Sequence, residues 1–188
     1  TGHAWASVLF GDEEPAGRLP IGLPASEFDA IQPGIGGRVD YAEGLLTSYR
    51  SPSLRFAFPF GHGLSYTRFA YGPARAAPGC GAELCVLLNA SNAGGRKGTE
   101  VVQAYIRFPA EAGEPKLVLR GYHRTKELLP GEGEEVRLGF TRRDLSIYRS
   151  GQGWILQHDF EVHIGASSDD IRQVVAPLQA HPPSAIHT

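Results

Sequence analysis

Residues 135–140, E-V-R-L-G-F, set Val136, Leu138 and Phe140 on one side of an extended chain and Glu135, Arg137 and Gly139 on the other. Residues 159–164, D-F-E-V-H-I, repeat the pattern with Phe160, Val162 and Ile164 against Asp159, Glu161 and His163. A two-residue alternation of apolar and polar side chains is the period of a strand buried on one face, the habit of antiparallel sheets. Val102, Ala104, Ile106 and Phe108 form a third row, and residues 84–90, 117–124 and 154–157 supply further short apolar runs. Turn clusters at 92–95 (N-A-G-G) and 130–133 (P-G-E-G) separate them. The pattern predicts an antiparallel β-sandwich of about 90 residues built from roughly six or seven strands.

N-terminal to this region the periodicity is lost. Residues 4–10, A-W-A-S-V-L-F, read as the end of an amphipathic helix with Trp5, Val8 and Leu9 on one face and Gly11 as its terminator. Residues 18–24, R-L-P-I-G-L-P, align Leu19, Ile21 and Leu23 on one side as a strand would, with two prolines that confine it to an edge or irregular position. Residues 25–66 show little periodicity. A compact domain rarely keeps an irregular segment of that length unless the segment lies over another surface. Residues 72–79, rich in Gly, Pro and Ala, read as a linker, and the tail at 177–188 is expected to fray.

Composition narrows the function classes. Of 188 residues, 24 are Gly and 14 Pro, so turns are frequent. The chain is too short for a complete β/α barrel of about 250 residues with anything attached. With 18 Lys and Arg against 20 Asp and Glu the net charge is −2 and neither sign forms a run, so nucleic acid is not an expected partner. No apolar stretch approaches the ~18 residues of a membrane span, and a membrane partner is not expected. The chain begins at Thr1 and contains no Met, which leads to the expectation that it belongs to a longer translation product. Cys80 and Cys85 have the wrong spacing for a C-x-x-C motif; they are either a short-loop disulfide or two free thiols. Asn89-Ala90-Ser91 matches a glycosylation sequon inside a predicted strand. The compartment is left open, with an extracytoplasmic setting favoured. The seven histidines form no ligand set with other residues, His158 and His163 being an odd number apart on a strand, and no metal or cofactor is expected.

Three successive strings in the irregular half carry a resemblance: V-L-F-G-D-E-E-P-A-G-R-L-P-I at 8–21, Y-A-E-G-L-L-T-S-Y-R at 41–50 and F-P-F-G-H-G-L-S-Y-T-R-F at 58–69. The second half continues it with 91–106, 115–124, L-L-P-G-E at 128–132, R-R-D-L-S-I-Y at 142–148 and V-H-I-G-A-S-S-D-D-I-R at 162–172. Together these resemble the end of glycoside hydrolase family 3, the β-glucosidase and β-xylosidase family. The resemblance implies that residues 1–71 are the terminal remnant of an α/β sandwich domain with its loops. It further implies that residues 80–176 form a fibronectin type III-like domain. The fold class is thus mainly β. Where family members usually carry a Pro-Gly turn before the last strand, this chain has Gln157-His158-Asp159, and that turn is expected to be distorted.

Retaining hydrolysis needs two carboxyl groups about 5 Å apart. The family's nucleophilic Asp belongs to an N-terminal barrel and its acid/base Glu to an earlier part of the α/β sandwich, so no catalytic residue is expected among residues 1–188. The chain then reads as a non-catalytic scaffold portion of a hydrolase of terminal β-linked sugars, inactive alone. Its expected partners are the upstream barrel and α/β sandwich domains, in cis or as a separate chain. The alternative is an autonomous glycan- or protein-binding module. Tyr41, Glu43, Tyr49 and Arg50 are the candidates for a cleft rim or domain contact. Trp5, Leu9, Leu19 and Ile21 are the candidate interface, expected to meet another polypeptide, fold back on the sandwich or pair with a second copy. Asp12, Glu13, Glu14 and the pair Asp169-Asp170 read as solvated loop carboxylates. Phe56, Phe58, Phe60, Tyr66, Phe69 and Tyr71 read as aromatics that pack the linking segment, and Trp154 as a core or edge-packing residue.

Overall fold

The computed structural model describes residues 1–30, 37 and 40–178. His181, His187 and the tail beyond residue 178 lie outside the described residues. A helix, α1 (Gly2–Phe10), is followed by β1 (Leu23–Pro24) and β2 (Phe56–Phe58), a two-stranded antiparallel ribbon. The sandwich comprises β3 (Phe69–Tyr71), β4 (Arg75–Ala76), β5 (Leu84–Asn92), β6 (Val101–Arg107), β7 (Val118–Arg124), β8 (Gly133–Phe140), β11 (Phe160–Gly165) and β12 (Ile171–Leu178). Between β8 and β11 lies a second ribbon, β9 (Ser146–Arg149) with β10 (Gly153–Leu156). One sheet has the order β12-β11-β6-β7; in the other, β5 pairs with β8 along one edge and with β3 and β4 along the other. The chain is mostly β, and its strand pairs among the described residues are antiparallel.

The alternating rows form the inter-sheet core. Val86, Leu88 and Ala90 of β5, Val136, Leu138 and Phe140 of β8, Val102, Ala104 and Ile106 of β6, and Phe160, Val162 and Ile164 of β11 are all buried in one cluster. Register fixes them there: Leu88 faces Val136 and Val86 faces Leu138 in one sheet, and Val162 faces Ile106 in the other. Because side chains alternate, a one-residue slip would turn each row to the opposite face.

Residues 72–79, read from the sequence as a linker, contain β4, whose Arg75 and Ala76 pair with Leu87 and Val86. Tyr71 and Ala74 pack against the core. A run of Gly, Pro and Ala reads as a joint, yet two residues suffice to cap the free edge of β5. The strand expected over 18–24 shrinks to Leu23–Pro24, since proline removes ladder donors. The distorted turn before β11 is present: Asp159 adopts φ 57°, the left-handed region that Gly enters freely and Asp tolerates better than most residues. Cys80 and Cys85 are disulfide-bonded, with Cα atoms 5.9 Å apart, closing the loop that leads into β5.

Candidate functional site

The irregular segments are held to the sandwich by charged and polar side chains, and Glu100 sits at their centre. It lies just before β6, is 2% exposed, and pairs with Arg18 while the Arg172 guanidinium stands 3.9 Å from its second oxygen. The Val101 amide donates to it at 2.7 Å. A buried carboxylate is tolerated only when paired and hydrogen-bonded, and Glu100 meets both conditions with partners 82 residues upstream and 72 downstream. Arg172 is itself held by Asp170 at 2.7 Å and stacks over the Tyr71 ring, 4.6 Å from its centroid. Burial works against the Arg172 charge, but the Asp170 hydrogen bonds and the nearby Tyr71, Asp170 and Glu100 raise its pKa above the ordinary arginine value. Burial pushes the Tyr71 phenol strongly upward, so it stays neutral.

Glu14 is not the solvated loop carboxylate expected of an acidic turn. It accepts hydrogen bonds from the Ser65 hydroxyl and, at 2.6 Å, from the Thr99 amide, which ties the turn after α1 to the β5–β6 connection. Asp170 likewise serves as the partner of Arg172. A Cβ at Gly98 would overlap the Glu14 carboxylate, so a larger residue there would displace it from the Thr99 amide. Arg96 donates to the Gly11 carbonyl and lies over the Tyr66 ring, whose hydroxyl donates to the Val8 carbonyl.

A second contact covers the outer face of the β12-β11-β6-β7 sheet. Gln103 donates to the Gly61 carbonyl at 3.1 Å and the Ala166 carbonyl at 2.7 Å, and accepts from the Tyr105 hydroxyl at 2.6 Å. Gly61 has φ 79° and its missing side chain leaves room for the Gln103 amide. Tyr49 stacks on Phe60 with centroids 4.4 Å apart, meets Tyr105 edge-on, and its hydroxyl accepts from the Leu119 amide at 3.0 Å. Arg50 lies beside the Tyr49 ring, 5.7 Å from its centroid. The His62 and Phe58 ring centroids are 5.2 Å apart.

The four cleft candidates therefore divide. Tyr49 and Arg50 belong to the packed contact, whereas Tyr41 is exposed and Glu43 half-buried at the turn over 41–45. Among the described residues no side-chain hydrogen bond or ion pair fixes Glu43. Two cavities flank the seam. One of about 360 Å³ is lined by Arg18, His62, Glu100, Ser167 and Arg172, and one of about 430 Å³ by Tyr49, Phe56, Lys116 and Asp169. Among the described residues no group of three or more His, Cys, Asp and Glu side chains could hold a metal ion. Among the described residues no helix is long and apolar enough to cross a membrane.

At the free end of the chain, α1 buries no residue. Trp5 is 65% exposed, with Leu9, Phe10 and Ile21 also exposed, while Leu19 is half-buried through its backbone bonds to Gly61 and His62. The helix does not fold back on the sandwich.

The fibronectin type III-like domain family matches residues 100–168. A β-glucosidase of Rhizobium radiobacter is 39% identical over 191 residues, covering 93% of this chain and 23% of the relative. A probable β-glucosidase L of Aspergillus terreus is 36% identical, over 92% of this chain and 27% of its own length. The chain matches the C-terminal part of a family 3 glycoside hydrolase. Solved structures agree with this assignment. β-Glucosidase 3B from Thermotoga neapolitana in complex with α-D-glucose superimposes with a TM-score of 0.85 at 34% identity, covering 96% of this chain and 27% of that one. The β-D-glucoside glucohydrolase from Trichoderma reesei gives 0.84 at 31% identity, over 94% and 28%. The chain thus spans about a quarter of the length of these family 3 relatives. Glu100 lies in the T-E-V-V-Q string that carried the resemblance, and its role could not be read there because its partners are distant in sequence.

Proposed function

We propose that this chain is the non-catalytic scaffold portion of a β-glycoside hydrolase, whose parent reaction is retaining hydrolysis of terminal β-linked sugars. The observation that carries this reading is the exposed apolar face of α1 on a segment that is otherwise pinned to the sandwich through Glu14, Arg18 and Glu100. The helix touches the rest of the chain near its C-terminal end, through Tyr66 and Arg96, and the apolar face at Trp5 and Leu9 that it leaves open suits the remaining domains of a longer enzyme. In this reading Trp5, Leu9, Leu19 and Ile21 dock on the preceding domains. Tyr49 and Arg50 then keep the turn bearing Tyr41 and Glu43 at a fixed height above the sheet, at the rim of a cleft formed elsewhere. The chain supplies neither the nucleophile nor the acid/base. Incubation of the pure 188-residue chain with an aryl β-glucoside is expected to release no phenol above the rate without protein. Turnover that Glu43→Gln abolishes would overturn the reading.

A further inference from the structure

The β9–β10 ribbon presents aromatic surface at Trp154, read from the sequence as a core or edge-packing residue, and at Tyr148. Tyr148 and Trp154 are directly opposite each other across the ribbon, yet remain 58% and 46% exposed. Their ring centroids are 5.5 Å apart at an angle of 58°. The Arg143 guanidinium lies 3.4 Å from the indole centroid, so it covers one indole face and fixes the side chain while its own N–H groups stay at the solvent edge.

Position argues that this surface is not part of the junction. Residues 1–66 bond to the sandwich at Arg96–Gln103, Leu119 and Ser168, at the Val101 end and over the outer face of the β6–β7 sheet. The ribbon follows β8 and is braced at the other end of β6, where Arg149 donates to the Ala112 carbonyl.

Size and chemistry argue for the occupant. Two half-exposed rings offer on the order of 200 Å² of accessible surface, against roughly 800 Å² per partner in a stable protein interface. That is too little for a second copy or a protein partner. It fits the flat C–H face of one or two pyranose units, with guanidinium N–H donors at the rim for hydroxyl groups. In a β-linked glucan every ring substituent is equatorial, so both faces of each ring carry only axial C–H bonds, whereas an α-linkage sets the glycosidic oxygen axially on one face.

We infer that Tyr148, Trp154 and Arg143 form a surface binding platform for a neutral β-linked glucan chain. The platform does not depend on the scaffold reading, since a chain with no role in hydrolysis could still carry it.

The test is electrophoresis of the 188-residue chain in native gels with and without soluble mixed-linkage β-glucan. The wild type is expected to be retarded by the β-glucan and not by glycogen. Tyr148→Ala/Trp154→Ala is expected to lose the retardation while keeping its circular dichroism spectrum. Equal wild-type mobility in both gels, equal retardation of the double variant, or retardation by glycogen as strong as by β-glucan would overturn the inference. Should the double variant fail to fold, Trp5→Phe leaves Trp154 as the sole indole, and titration with cellohexaose is expected to shift its fluorescence. An unchanged spectrum at saturating oligosaccharide would overturn it equally.

Discussion

Replacing Glu100 by Ala would leave the Arg18 guanidinium, which is largely buried, without its carboxylate. Breaking one partner of a buried pair typically costs about 3–5 kcal/mol, far more than the pair contributes over an apolar substitute. Arg172 is better protected, because Asp170 holds it independently. Glu100→Ala is therefore expected to lower chain stability by about 3 kcal/mol, measured by urea unfolding, whereas Asp170→Asn should cost less than half as much. Equal losses would mean that Arg172, and not Arg18, is the cation that matters. The residue scale is also where the sequence is least readable. Glu14 and Glu100 look like ordinary polar loop residues, and only the folded chain brings Ser65, Thr99 and Arg18 to them. Asp159 is the converse case: the missing glycine before β11 pointed to a strained turn, and its φ of 57° is that strain.

At the scale of a strand, phase decides the effect of a substitution. Val136 is fully buried opposite Leu88, while its neighbour Arg137 is exposed and bonds to Glu135 at 2.7 Å. Val136→Asp is expected to unfold the sandwich, since an unpaired buried charge costs several kcal/mol, and Arg137→Asp to change stability by less than about 1 kcal/mol. Thermal melts followed by circular dichroism separate the two; similar shifts would put the strand out of phase. Strand β11 adds a pH dependence. Glu161 is held below the usual carboxylate range chiefly by the His163 hydrogen bond at 2.7 Å, which with the Arg107 charge outweighs the opposing effect of burial. A carboxyl whose folded pKa is depressed contributes stability that is fully present above its unfolded value of about 4.3 and lost as pH falls through the folded value. The melting-temperature advantage of wild type over Glu161→Gln should therefore be fully present at about pH 6 and shrink as pH falls below about 4. A constant difference across that range would exclude the linkage. Long alternating strands such as β8 and β11 were legible because six or more residues establish a period. β3 and β4, with three and two residues, were not.

For the molecule as a whole, the contrast lies between a sandwich whose core is closed and a helix whose apolar face is open. The period-two rows made the sandwich legible. The helix was legible too, but what covers it was not, because an apolar stripe specifies burial without naming the surface that supplies it. Fold-back was the simplest solution within one chain, and it is not the one adopted: Phe10 is 85% exposed and Trp5 and Leu9 stand clear of the sandwich. The pins at Glu14 and Arg18 hold the following turn against the β5–β6 connection, so the helix projects from a fixed base. If its face is an interface, charge placed there should act on association and leave the sandwich alone. Trp5→Glu/Leu9→Glu is expected to keep the wild-type melting temperature within about 2 °C, since neither residue is buried. It is also expected to abolish binding to separately produced upstream domains of a family 3 hydrolase, measured by sedimentation velocity of the mixture. Wild type sedimenting alone as a dimer that the double substitution dissociates would identify a second copy as the occupant. A wild-type monomer that binds the upstream domains no better than the double variant would remove the interface.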